Sequence, residues 1–224
     1  MFKNKEVDED VRKGQAAYTK ALLFIYDLLV LKISNTYIWK CPTKNLIKLY
    51  DDNLTNNHLD VGVGTGYYLK HCDFPKDTRL VLMDLNKNSL NVASENAKEL
   101  KPATFIHNIL EPIPFQINPF DSISINYLLH CLPGTISDKS IVFDHLLPLL
   151  NNNGVIFGST ILQGDIPRTR KAQKLMDFYN SKGIFSNTKD TYEDLEKNLK
   201  KRFASYEMKV IGCVCLFKGI KNNL

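Results

Sequence analysis

The chain has 224 residues, of which 44% are apolar and 24% charged, with a formal net charge of +5. Those proportions are ordinary for a soluble globular protein, and the length suits one α/β domain with additions or two small domains. Lys and Arg are spread along the chain rather than gathered into a stripe, so the positive balance argues for solvated surface and against a dedicated nucleic-acid binder.

The cysteines Cys41, Cys72, Cys131, Cys213 and Cys215 are odd in number and contain no Cys-x-x-Cys pair. That pattern argues against a disulfide framework and against a structural zinc site, and for reduced thiols acting as small hydrophobes.

In chain order, Met1 to Lys13 is polar and lacks the apolar region of a secretory signal. Ala17, Ala21, Phe24, Ile25 and Leu28 then recur at helical spacing, which predicts an amphipathic helix over about Arg12 to Ile33. Tyr26, Asp27 and Lys32 interrupt its apolar stretch, so it is too short and too polar to span a bilayer. The expected location is the cytoplasm, with no membrane contact. Ser34 to Pro42 is expected to break this helix, and a second helix, Thr43 to Tyr50, leads to a loop at Asp51 to Asn57.

An α/β alternation follows. Strands are predicted at His58 to Gly62, Arg79 to Leu85, Ala103 to His107, Phe120 to Asn126 and Val155 to Leu162. Between them lie helices at Tyr67 to Cys72, Asn86 to Leu100 and Asp138 to Leu150, the last stopped near Asn151-Asn-Asn-Gly154. Strands separated by helices of this length imply a parallel sheet with right-handed crossovers. Two more helices, Arg168 to Tyr179 and Tyr192 to Phe203, flank a polar insert at Asn180 to Asp190, and β-rich segments surround Gly212. A last strand antiparallel to the rest fits this ending.

The chemistry concentrates at the first strand. Gly62-x-Gly64-x-Gly66 follows it directly, and glycines there allow positive φ and close approach of backbone to a ligand. The dinucleotide fingerprint places two residues before its last glycine, whereas one residue separates Gly64 from Gly66. Asp60 lies two residues before Gly62, where a carboxylate would repel a pyrophosphate but suit a cationic, amine-bearing ligand. Asp84 ends the next strand, placed to accept hydrogen bonds from ribose hydroxyls. Asn108 and Asn126 end up on the same rim, the carboxyl ends of the strands, where open α/β sheets bind ligands.

These stretches, His58-Leu-Asp-Val-Gly-Val-Gly-Thr-Gly66, Val81-Leu-Met-Asp-Leu-Asn86 and Phe120-Asp-Ser-Ile-Ser-Ile-Asn-Tyr-Leu-Leu-His-Cys-Leu-Pro133, resemble the successive motifs of class I S-adenosylmethionine-dependent methyltransferases over roughly residues 55 to 165. The resemblance implies a Rossmann-like, seven-stranded, mostly parallel sheet with an antiparallel last strand and helices on both faces. It implies S-adenosylmethionine as methyl donor, S-adenosylhomocysteine as product and no metal. Asp60, Gly62, Gly64 and Gly66 would flank the methionine part, and Asp84 with Leu85 would hold the ribose. Asn108 and Ile109 would line the adenine, and Asn126, Tyr127 and Leu128 would run beneath the sulfonium. Many members of the family carry Asp where Asn108 stands.

Asn126-Tyr-Leu-Leu lacks the Pro-Pro step associated in that superfamily with base amines, which points to a small-molecule acceptor with an O, N or S nucleophile. His130, shortly after the fourth strand, is the candidate general base, since imidazole titrates near neutral pH. In-line transfer from a sulfonium also needs little help beyond positioning. Residues 1–54 are expected to form an N-terminal helical cap. Residues 55–224 would form the methyltransferase domain, with a helical insert at about 165–204. Tyr18, Tyr26, Trp39 and Tyr67 are the aromatic candidates for contact with the acceptor. Three other readings stand beside this one: a non-catalytic cofactor-binding regulatory or partner subunit, a protein or RNA methyltransferase, and an NAD-dependent oxidoreductase disfavoured by the glycine spacing. A homodimer is entertained as the assembly.

Overall fold

The computed structural model describes residues 27–164 and 166–222. Seven strands form one sheet in the order β3-β2-β1-β4-β5-β7-β6. They are β1 (Asn57–Val61), β2 (Arg79–Asp84), β3 (Ala103–Ile106), β4 (Phe120–Asn126), β5 (Leu150–Ile161), β6 (Ser205–Ile211) and β7 (Val214–Ile220). β1 to β5 pair in parallel, and β7 runs antiparallel to both β5 and β6. The sheet expected from the sequence is therefore the sheet observed.

Strand alternation decides what each face carries. Leu59 and Val61 of β1 point into a cluster shared with Ile123, Ile125, Ile156 and Phe217. Against this face pack α5 (Ile141–Leu146) and α7 (Tyr192–Arg202) through Val142, Phe143, Leu195 and Leu199. His58 and Asp60 point the other way, towards α1 (Thr43–Asp51). On that side α2 (Tyr67–His71) and α3 (Lys87–Asn96) add Leu69, Leu90 and Ala93 against Leu80 and Leu82.

Several element ends differ from the sequence reading for identifiable reasons. The helix expected over about Arg12 to Ile33 lies outside the described residues as far as residue 26, and what is described of it is not broken at Ser34 to Ile38. A π-type helical segment spans Asp27–Ile38, and the Trp39 amide closes it by donating to the Ser34 carbonyl at 2.7 Å. Asn86 is not the first helical residue of α3 but its cap, its side chain accepting from the Asn88 amide at 2.8 Å. Thr169 and Thr191 likewise cap α6 (Arg170–Ser181) and α7, accepting from the amides of Ala172 and Asp194. The helix expected at Asp138 to Leu150 is divided into α4 (Ile136–Lys139) and α5 at Ser140, whose hydroxyl bonds back to the Ile136 carbonyl at 2.6 Å. Asn151 to Gly154 does not stop a helix. It lies inside β5, opposite a register shift between Phe120 and Ser122, where the Asn151 amide donates to Asp121 at 2.7 Å.

The early residues and the late insert meet. Trp39, Cys41, Leu46 and Tyr50 share one buried cluster with Ala172, Met176 and Phe185. The Cys213 amide donates to the Trp39 carbonyl at 2.8 Å. Arg202 clamps α7 to α5 through two 2.7 Å bonds to the Asp144 carboxylate. No disulfide joins the five cysteines.

Candidate active site

β1 ends in three left-handed glycines, Gly62 at φ +73, Gly64 at +54 and Gly66 at +71. Their surroundings differ. A Cβ on Gly62 would lie 2.8 Å from Leu128 Cδ1, and one on Gly66 would lie 2.7 Å from the Ala93 Cα. A Cβ on Gly64 would meet nothing within 4 Å. Packing explains Gly62 and Gly66. Gly64 instead borders open space, a cradle beside the backbone that protein atoms leave empty.

Two carboxylates border this loop. Asp60 is buried, with Oδ2 accepting from the Tyr50 hydroxyl at 2.9 Å. Burial pushes its carboxyl up to about 7, against the lowering effect of the Ser124 and Tyr50 hydroxyls. Asp84 Oδ1 accepts from the Asn86 amide at 2.8 Å and Oδ2 from the Gly64 amide at 3.4 Å. The second bond ties the end of β2 to the glycine loop. Burial pushes Asp84 up to about 6, opposed by these backbone amides.

The other expected rim residues differ in their commitments. Asn126 is buried and its carbonyl accepts from the Ser159 hydroxyl at 2.8 Å. Tyr127 has φ +54, an uncommon backbone for a bulky side chain, and its hydroxyl donates to Asn35 at 2.8 Å. Leu128 lies over Gly62. Leu85 follows Asp84 and is half-buried. Asn108 builds a turn, its carbonyl accepting from the Leu110 amide at 3.2 Å and its amide donating to Glu111 at 3.2 Å. Ile109 is buried in the main core.

His130 departs from the general-base expectation. The ring is fully buried, and its Nδ1 accepts from the Ile161 amide at 3.2 Å. An occupied Nδ1 makes Nε2 the protonated nitrogen, so the neutral ring is a donor. Burial, then the nearby Lys139 charge, push its pKa down to about 3. Such a ring has no vacant nitrogen for a proton at neutral pH. Trp39, expected to touch the acceptor, is wholly buried with its ring centroid 6.1 Å from that of Phe185. It is a core residue because it joins the early segment to the insert. Tyr67 stays half-buried beside the glycine loop, stacked on His71 at 4.1 Å. Tyr18 and Tyr26 lie outside the described residues.

Sequence reasoning missed three features. Tyr50 reads as one apolar position of a helix, and only the fold carries it to Asp60. Asn35 lies in the stretch expected to break a helix, yet it is buried, accepting from Tyr127 and donating to Thr43 at 3.1 Å. Lys139 and Asp190 form a wholly buried ion pair at 2.6 Å, and the same ammonium donates to the Ser186 carbonyl at 2.5 Å. That pair fastens the insert to α4. A lysine and an aspartate 51 positions apart leave no signal in one sequence.

These residues fit a nucleoside cofactor bearing a cationic amino acid. The space at Gly64 admits backbone contact, Asp84 supplies a hydroxyl acceptor, and Asp60 is a buried carboxylate with neutral donors. Among the described residues no group of three His, Cys, Asp or Glu side chains is placed to hold a metal ion. No described helix is long and apolar enough to cross a membrane.

The family model described as a methyltransferase domain matches residues 59–156. The demethylluteothin O-methyltransferase of Streptomyces thioluteus is 37% identical over 214 residues, covering 95% of this chain and 93% of that protein. The physcion biosynthesis cluster O-methyltransferase of Aspergillus chevalieri is 39% identical over 214 residues, covering 95% and 96%. Among solved structures, the N-methyltransferase NodS of Bradyrhizobium japonicum in complex with S-adenosylhomocysteine is similar in fold, with a TM-score of 0.56 at 15% identity, covering 81% of this chain and 85% of that one.

Proposed function

The chain belongs to the class I S-adenosylmethionine-dependent methyltransferases acting on small molecules, and on that footing we propose that it methylates an acidic oxygen, a phenol or an enol. The observation that carries this reading is the open cradle at Gly64 between Asp60 and Asp84, in a chain two of whose relatives, matched over 93% and 96% of their length, bear O-methyltransferase names. When bound, the cofactor supplies an electrophilic methyl group on a sulfonium. Asp84 would accept from its ribose hydroxyls, and Asp60 would face its amino group. The amides of the glycine loop would line its methionine part, with Asn126, Tyr127 and Leu128 beneath.

The relatives' O-methyltransferase names support oxygen as the acceptor atom, and His130 supports an acidic one. With Nδ1 occupied by a backbone amide, that ring takes no proton from the substrate. An oxygen that ionises by itself near neutral pH then needs only alignment, which is where most of the rate can come from. Residues 1–54 and the insert at about 165–204 serve as the acceptor's cap, with Tyr67 at its edge. The cytoplasm is the proposed location.

The test incubates the protein with S-adenosylmethionine and a panel of phenols, enols, amines and thiols, and measures S-adenosylhomocysteine by chromatography. Turnover confined to the oxygen acids supports the reading, and turnover confined to amines or thiols overturns it. Across phenols of different acidity, the midpoint of the pH–rate profile should track the acceptor's own pKa. A fixed midpoint near 6–7 that vanishes in His130→Asn would restore the base role.

A further inference from the structure

Tyr50 stands outside every motif of the binding site, yet it reaches the site from α1. Its hydroxyl donates to Asp60 Oδ2 at 2.9 Å and lies 3.2 Å from Ser124 Oγ, while its ring stacks on Tyr68 at 4.6 Å and meets the Phe157 ring edge-on at 5.2 Å. Among the described residues no Lys, Arg or His forms an ion pair with Asp60. The titratable groups around it are Tyr50 from α1, Asp84 from β2, Cys72 after α2, and His58, which reaches the same Ser124 hydroxyl through Nε2 at 3.1 Å. Burial holds His58 neutral, pushing it down to about 3. The carboxylate is therefore supported by two neutral hydroxyls and opposed by a like charge.

We propose that Tyr50 is a positioning residue for cofactor capture: its hydroxyl orients Asp60 and supports the ionised form on which capture of the cofactor's amino group depends. The proposal rests on the methyltransferase reading and adds to it a residue from the segment before the glycine loop. A buried carboxylate without a countercharge sits close to protonation, and each donated hydrogen bond favours its charged form. Removing the hydroxyl raises the pH at which Asp60 ionises. The cationic amino group needs the carboxylate, so the loss of affinity is largest near neutral pH and fades as pH rises.

The experiment is calorimetry of S-adenosylhomocysteine binding to the wild-type protein and to Tyr50→Phe between pH 6 and 9, with Asp60→Asn and Ser124→Ala alongside. Phenylalanine keeps the ring and both ring contacts. The expected result is a Kd about fivefold higher at pH 7 for Tyr50→Phe, closing to near the wild-type value at pH 9, since a rise of about one unit from about 7 cuts the ionised fraction about fivefold at pH 7 and hardly at all at pH 9. Ser124→Ala should shift the profile in the same direction, and Asp60→Asn should bind weakly with a flat profile. A Tyr50→Phe Kd that is unchanged, or raised by one factor at every pH, overturns the proposal. If Tyr50→Phe does not fold, the Ser124→Ala profile decides, and no shift there overturns it. A wild-type protein that binds no S-adenosylhomocysteine at any pH overturns the methyltransferase reading itself.

Discussion

Gly64 and Gly66 sit two residues apart in left-handed backbone, yet a methyl group added to each has different consequences. Alanine at Gly64 enters open space, so its cost to the fold is the left-handed strain, roughly 1–2 kcal/mol. The same methyl occupies the cradle, and the Kd for S-adenosylhomocysteine should rise by about tenfold or more, the equivalent of about 1.4 kcal/mol. Alanine at Gly66 meets the α3 backbone, adding an overpacking cost of roughly 1–3 kcal/mol. Thermal melts and titration of the two variants should separate a folded non-binder, Gly64→Ala, from a poorly folded one, Gly66→Ala. At this scale the sequence was informative where spacing encodes chemistry. The glycines, Asp60 and Asp84 are read from local order along the chain. The state of His130 is not, because the amide that fixes its tautomer belongs to Ile161, at the far end of β5.

Elements are legible where periodicity marks them, and less so where a tertiary contact overrides it. The helices themselves are legible, but their caps are not: the reciprocal capping box of Thr135 with Asp138 before α4, and the caps Asn86 and Thr169, set starts one or two residues from those that periodicity gives. The asparagines at 151–153 read as a stop signal, but pairing with β4 draws them into β5. The insert reads as a polar excursion, and its attachment through Lys139 and Asp190 leaves no local signal in the sequence. Lys139→Met leaves a buried carboxylate without its partner, which typically costs about 3–5 kcal/mol. The double variant Lys139→Met, Asp190→Leu should lose less than the single one, a coupling that urea melts of the full cycle would show. In the single variant at a permissive temperature, the KM for the acceptor should rise while the Kd for S-adenosylhomocysteine stays close to wild type.

The mostly parallel sheet and its antiparallel last strand are legible from a pattern that spans the whole molecule, while the strand order comes from the fold alone. The union of the early segment with the insert is not legible, since periodicity says which face of a helix is apolar but not which distant face covers it. Whole-molecule stability should report on the site. Asp60 and Asp84 titrate higher when folded, so their contribution to stability is present below about pH 4 and is lost as pH rises through about 6–7. His58 and His130 titrate lower when folded, so theirs is present above about pH 6.5 and lost as pH falls towards about 3. A ligand that binds the ionised Asp60 offsets the first loss. At about 100 times its Kd, S-adenosylhomocysteine adds about 2.7 kcal/mol, or roughly 5–10 °C in Tm for a chain of this size. Scanning calorimetry at a fixed ligand concentration should show a larger gain at pH 8 than at pH 6, and the reverse order would contradict the role given to Asp60.

Trp39 and Cys41 are made early in synthesis, but their packing partners Met176 and Phe185, and the Cys213 amide bonded to Trp39, are made late. A chain emerging from the ribosome completes β1 to β4 and the glycine loop before those partners exist. Contacts this far apart in sequence close slowly, because a long loop of chain must be immobilised before they form. The segment around Trp39 is thus among the last to settle although it is made before the sheet, and a ribosome-bound chain that ends before Met176 holds the glycine loop without that cluster.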